Sequence, residues 1–125
     1  MSLIIKLSMI NLIVQNMSGA KAFYADKLGL EVKQDYRQDE GHWWVSLALP
    51  EGGVTITLTT FHEGFRPGTM SLYFATSDIA AAHKELNGKG VNVNPIKDDL
   101  YGPGSGVKWF NLADPDGNLV HILQA

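Results

Sequence analysis

Cysteine is absent from all 125 residues, so disulfides, thiolate metal sites and cysteine nucleophiles are excluded at once. Long apolar runs are missing too. Nothing approaches the ~20 uncharged residues that span a membrane, and no charged-then-apolar leader precedes a small-residue cleavage site, so the expected location is the cytoplasm. The chain also lacks a basic excess. Its formal net charge is −3 and its Lys and Arg are dispersed, which leaves no stripe to neutralise phosphates and argues against a nucleic-acid partner. No Ser/His/Asp nucleophile arrangement can be read, and Gly102-Pro103-Gly104-Ser105-Gly106 lacks the following helix and Lys of a phosphate-binding loop. The length suits one domain, or two small fused modules, with a core of ordinary size.

What the sequence does contain is a turn of defined geometry. In Asp114-Pro115-Asp116-Gly117-Asn118, Pro115 pre-sets φ, the Asp114 carboxylate can accept from backbone N–H groups two residues on, and Gly117 or Asn118 can take the left-handed conformation. Strand-type runs at 107–112 and 119–123 flank it, which makes it the loop of a β-hairpin. His121 stands in the middle of the final strand.

Residues 4–14 predict a strand that is apolar on both faces and therefore covered on both. Ser18 can cap a helix over about 18–28, where Ala20, Phe23, Tyr24 and Leu28 recur at helical spacing and Gly29 supplies a left-handed stop. Strands over 30–36, 42–49 and 54–60 follow, separated by turns at Asp39-Glu40-Gly41 and Pro50-Glu51-Gly52-Gly53. After a polar, Gly/Pro-bearing segment at 62–68 the order begins again. A strand over 70–76 leads to a helix over about 78–88, capped by Ser77 or Asp78, with Ile79, Ala82, His83 and Leu86 on one face and Gly90 as its stop. A strand over 91–96 and the closing hairpin complete the second half. Gly29-Leu30-Glu31-Val32 matches Gly90-Val91-Asn92-Val93 at an offset of 61, and Asn16 matches Asp78 at 62, so the chain reads as two modules, 1–61 and 69–125, joined by a linker at 62–68.

Taken together, Leu12-Ile13-Val14-Gln15-Asn16, Ala22-Phe23-Tyr24, Leu28-Gly29-Leu30 and Ala113-Asp114-Pro115-Asp116-Gly117-Asn118-Leu119 resemble the vicinal oxygen chelate superfamily. Its members include glyoxalases, bleomycin-resistance proteins, extradiol dioxygenases and fosfomycin-modifying enzymes. The match runs the whole chain and speaks to fold rather than function. The resemblance implies an α+β fold of two βαβββ modules whose mixed sheets curl around a shared cavity, usually within a homodimer. Metal-dependent members carry His or Glu on the strands around that cavity. Counting from Phe23, from Asp78 and along the final strand puts Met9, Ser71, Thr59 and His121 at those four positions. A thioether and two hydroxyls do not replace the imidazoles and carboxylates that hold Ni²⁺, Zn²⁺ or Fe²⁺, so no cofactor is expected, with a divalent metal as the alternative. His42, His62 and His83 contribute only if the strand registers shift, His83 being expected on the second helix and His62 in the linker.

Strand alternation says which side chains share the open face. Ile56 and Leu58 pack under a helix and leave Thr55, Thr57 and Thr59; Val120 and Ile122 leave Leu119, His121 and Leu123; Leu72 and Phe74 leave Ser71, Tyr73 and Ala75; Ile10, Leu12 and Val14 leave Met9, Asn11 and Ile13. The expected ligand-binding lining is Met9, Asn11, Trp44, Thr57, Thr59, Ser71, Tyr73, Trp109 and His121, with Trp44 chosen over Trp43 and Trp109 over Phe110. The stretch 98–106 reads either as a lid or as a solvated loop. The expected function is metal-free binding of a small organic molecule in an aromatic and hydroxylic groove, with His121 as a hydrogen-bonding group. Two alternatives stand beside it: a metal-dependent glyoxalase-type lyase or dioxygenase, and a metal-free enzyme in which His121 is the general base and Tyr73 or a threonine hydroxyl the donor. A homodimer is expected as well, because a half-open sheet leaves edges and apolar surface, Ile4, Ile5 and Leu7 among it, that so short a chain covers incompletely.

Overall fold

Side-chain alternation and two asparagine/aspartate caps account for most of the regular structure. The computed structural model describes residues 3–39, 41–61 and 64–125, and these fall into two units, Met1–Pro67 and Gly68–Ala125. Of the expected linker, residues 62 and 63 lie outside the described residues, as does Glu40 of the expected turn.

In the first unit, strand β1 (Met9–Ile13) leads to helix α1 (Met17–Lys21), which runs on as a π-helix over Ala22–Lys27. Strands β2 (Glu31–Asp39), β3 (His42–Ala48) and β4 (Thr55–Thr59) follow. They form one mixed sheet in the order β1-β4-β3-β2, with β1 parallel to β4 and the remaining pairs antiparallel. Leu12, Val14, Val45, Leu47 and Leu58 are wholly buried on one face, where Met17, Ala20, Phe23 and Tyr24 of the helical segment are buried too. Each buried Leu, Val, Met or Phe among them contributes about 1.5–3 kcal/mol by leaving water.

Three expectations for this unit need correction. The first strand is shorter than 4–14: it starts at Met9, and Leu3, Ile4, Ile5 and Leu7 are 93, 84, 85 and 64% exposed. Apolar character there marks surface that lacks cover rather than a buried strand. The cap is Asn16, whose Oδ1 accepts from Gly19 N at 3.1 Å, so the helix opens before Ser18. The helix is also not uniform. Leu28 N bonds to Phe23 O, five residues back, because the chain is wound one residue wider over its last turns.

The second unit repeats the order with β5 (Ser71–Thr76), α2 (Ile79–Gly88), β6 (Trp109–Ala113) and β7 (Leu119–Gln124). Its sheet order is β5-β7-β6, with β5 parallel to β7 and β6 antiparallel to it. Asp78 caps α2 by accepting from Ala81 N at 3.0 Å, the role that Asn16 plays for α1. Ile79 and Leu86 on α2 and Leu72, Phe110, Leu112, Val120 and Ile122 on the strands are buried as the core of this unit. The strand expected over 91–96 is not formed. Asn94 N bonds to Asn111 O, and the ladder is otherwise reduced to an isolated bridge between Lys97 and Trp109. Alternating Val91 and Val93 suit a strand, but the backbone there makes too few partner bonds to become one.

The β6–β7 turn is tied both to itself and to β5. Asp114 Oδ1 accepts from Asp116 N at 2.9 Å and Asn118 N at 2.8 Å, Asp114 Oδ2 accepts from Asn118 Nδ2 at 2.8 Å, and Asn118 Oδ1 accepts from Met70 N at 2.9 Å. Gly68 lies against this turn with φ +81°, and a Cβ built there would stand 2.2 Å from Asp116 O. Gly117 has φ +93° with nothing within 4 Å of the corresponding position. Gly117→Ala is therefore expected to cost about 1–2 kcal/mol for the left-handed backbone alone. Gly68→Ala adds the displacement of a backbone carbonyl, about 1–3 kcal/mol more. Urea denaturation of the two variants checks the order, and equal costs would show that the Gly68 approach is not a constraint.

Candidate functional site

In the first unit, cross-strand register sorts side chains into rows on the sheet face turned away from α1. Asn11 pairs with Thr57 and Thr57 with Ser46; Ile13 pairs with Thr59, Thr59 with Trp44, and Trp44 with Tyr36. The Thr57 hydroxyl donates to Met9 Sδ at 3.3 Å and lies 3.3 Å from Ser46 Oγ, while Thr59 Oγ1 accepts from Phe61 N at 3.1 Å. Thr57 and Thr59 are buried, whereas Met9 and Asn11 are exposed. Beyond Thr59 the surface becomes aromatic. Trp44 lies 5.8 Å from Tyr36 and 6.1 Å from His42, and His42 stacks on Phe61 at 5.2 Å. Trp43 is on the opposite face, where its indole N–H donates to Asp35 Oδ1 at 2.7 Å and Arg37 lies 4.3 Å above the ring. Hydrogen bonds from Lys21 and then Trp43 hold the Asp35 carboxyl below its ordinary pKa.

In the second unit the corresponding row is Tyr73–His121–Asn111. The Tyr73 ring lies nearly parallel to the His121 imidazole at 4.3 Å, and Trp109 stands 5.9 Å away on the other side of β7. Ser71 is in the next row, opposite Leu119, and exposed. His121 is 8% exposed, its Nδ1 has no hydrogen-bond partner, and burial pushes its pKa below the ordinary 6.5. The imidazole is therefore neutral at pH 7. Asn111 Oδ1 accepts from Asn94 Nδ2 at 2.6 Å, and the Trp109 indole N–H donates to Asp99 Oδ1 at 2.9 Å, which ties loop 98–106 to β6. Phe110 is wholly buried, with His83 of α2 edge-on at 4.9 Å; His83 Nε2 donates to Asn94 O at 3.0 Å.

The structure thus brings Met9, Asn11, Trp44, Thr57 and Thr59 onto one face of the first sheet, and Ser71, Tyr73, Trp109 and His121 onto one face of the second. Ser46, Tyr36, His42, Phe61 and Asn111 share these faces without having been expected there. Ser46 is two residues from Trp44 and was within reach of the period-two rule; Tyr36 and Phe61 depend on pairing between strands, which no local pattern carries. As metal donors the four positions fit poorly. Met9 sulfur and Thr59 oxygen are used inside the first unit, Ser71 offers only a neutral hydroxyl, and His121 alone is a strong ligand type. Among the described residues no three His, Asp or Glu side chains stand where they could share an ion.

The family model described as Glyoxalase/Bleomycin resistance protein/Dioxygenase superfamily matches residues 6–122. An uncharacterized protein of Bacillus subtilis strain 168, YwkD, is 33% identical over 115 residues, covering 86% of this chain and 87% of its own. TnmS3, an antibiotic binding protein from Streptomyces sp. CB03234, superposes with a TM-score of 0.84 at 24% identity, covering 99% of this chain and 98% of its own. A member of the same superfamily from Sphaerobacter thermophilus DSM 20745 gives a TM-score of 0.81 at 26% identity, covering 99% and 100% of the two chains.

The burial of His121 has a pH signature. Its folded-state pKa lies below the unfolded value of about 6.5, so the unfolded chain takes up a proton first as pH falls, and stability drops from about pH 6.5 down to the folded pKa. Above pH 7 the effect vanishes. His121→Gln, neutral throughout, is expected to lose less stability than the wild type between pH 7 and 5 in urea titrations; identical losses would show that His121 is not buried uncharged.

Proposed function

This chain belongs to the Glyoxalase/Bleomycin resistance protein/Dioxygenase superfamily, and from that membership we propose that it binds a small organic molecule without a metal ion. One observation carries the reading: a buried, neutral His121 with an unpartnered Nδ1, flanked by the rings of Tyr73 and Trp109. A polar atom set between aromatic faces suits a partly polar, ring-bearing ligand, because the faces bind by stacking and the nitrogen selects by hydrogen bonding. The donor chemistry of Met9, Thr59 and Ser71 supports the absence of a bound ion from the mechanism. TnmS3, an antibiotic binding protein, has the same fold. His121→Ala is expected to weaken binding by about 1–3 kcal/mol through loss of a buried hydrogen bond. Calorimetric titration with bleomycin and other ring-bearing antibiotics, on protein purified without a histidine tag, measures it. Stoichiometric metal that is lost in His121→Ala together with a lyase or dioxygenase activity would overturn the reading in favour of the enzyme.

We further propose that the binding protein is a homodimer. The support is the run Leu3, Ile4, Ile5, Leu7 and Met9, 55–93% exposed, which ends at the first residue of β1, one of the two edge strands of its sheet. Sedimentation velocity at micromolar concentration is expected to show a dimer that the double variant Ile5→Glu, Leu7→Glu weakens; a wild type that sediments only as monomer contradicts it.

A further inference from the structure

At one end of the first sheet, rings from β2, β3 and the second residue after β4 converge on the face that carries Thr57 and Thr59. Tyr36 is 59% exposed and Phe61 37%, although large aromatic side chains gain most from burial. The rings are neither scattered nor packed away: Tyr36, Trp44, His42 and Phe61 follow one another at 5.8, 6.1 and 5.2 Å, with interplanar angles of 36, 43 and 28°. They form a contiguous strip, with the hydroxyls of Thr57 and Ser46 in the next row of the sheet.

His42 gives the strip its chemistry. Its Nδ1 lies 2.9 Å from Asp39 Oδ1, which also accepts from Gly41 N at 2.9 Å. The bond from His42 holds the Asp39 carboxyl below its ordinary pKa, so near neutral pH it is an ionised group that only accepts. The proton of a neutral His42 must then sit on Nδ1. That fixes the tautomer and leaves Nε2 as a lone-pair acceptor beside Phe61 and Trp44.

We propose that Tyr36, His42, Trp44 and Phe61 form a stacking site for a planar, hydroxylated aromatic molecule whose hydroxyl hydrogen is accepted by His42 Nε2. The proposal deepens the small-molecule reading and rests on it, but on residues other than His121. Ring faces bind any flat aromatic system; the acceptor nitrogen distinguishes a phenol from its ether or its parent hydrocarbon, because only the phenol has a hydrogen to donate.

The test uses 2-naphthol and 2-methoxynaphthalene, which share a ring system and differ in the donor. In calorimetric titrations of the full chain at pH 7.5, wild type is expected to bind 2-naphthol about tenfold more tightly than 2-methoxynaphthalene. His42→Phe, which keeps a stacking ring, is expected to equalise the two probes, and Phe61→Ala and Tyr36→Ala to weaken both. These last two sites are on the surface, so circular dichroism is expected to show the native fold in each. Absence of naphthol binding, equal affinity of wild type for the two probes, or affinities unmoved by Phe61→Ala would each overturn the proposal. So would a Phe61→Ala variant that dissociates a dimer while wild type binds neither probe, since the strip would then belong to a second copy. A metal-loaded protein that still separates the two probes overturns the metal-free reading and supports the strip.

Discussion

The Asp114 carboxylate is the constraint on which the second unit depends. It accepts from two backbone amides of its own turn and from the Asn118 amide, and Asn118 in turn accepts from the backbone of Met70 at the start of β5. Asn118 is wholly buried and Asp114 nearly so, which means that each polar atom left without a partner here costs about 1–3 kcal/mol. The turn therefore acts as a clamp across three strands. It sets the register in which Tyr73 meets His121 and Trp109 approaches from β6.

The turn was legible in the sequence because its chemistry is local, whereas its tie to Met70, 48 residues away, was not. Pro115, Gly117 and the two flanking polar residues each have a role within five positions of one another. Strand alternation carried as far, since a period of two places Trp44 with Thr59 and Trp109 with His121 once the strands exist. What failed depended on partners distant in sequence. Residues 91–96 alternate as a strand does, yet they have no ladder to join beyond Asn94 and the Lys97 bridge. Residues 3–8 are apolar enough to demand cover, and hydrophobicity states the demand without saying which surface meets it. Tyr36 and Phe61 reach the aromatic strip only through pairing between β2, β3 and β4, so sequence spacing alone gave no reason to group them with Trp44.

The two faces use polar groups differently. In the first unit the hydroxyls of Thr57 and Thr59 are buried and engaged by Met9, Ser46 and Phe61, so they shape the floor under the rings rather than meet solvent. In the second, His121 is buried with one nitrogen unanswered. A closed floor under exposed rings favours shape, and an unanswered nitrogen favours a particular donor or acceptor. Each face, taken by itself, suits the small-molecule binding proposed above.

The widened last turns of the first helical segment bear on a one-residue difference in length between the helical segments of the two units. From cap to stop glycine the first unit spans 14 residues, Asn16 to Gly29, and the second spans 13, Asp78 to Gly90. A π-turn closes over one residue more than an α-turn. The surplus residue is thus stored as a bulge inside the helix, between two ends that still superimpose in role: a polar cap on one side and a left-handed glycine on the other. Strand β2 absorbs irregularity in its own way, through shifts of register against β3 between Val32 and Gln34 and between Arg37 and Asp39. The wider winding thus takes up the extra position without moving either the polar cap or the left-handed glycine out of its role.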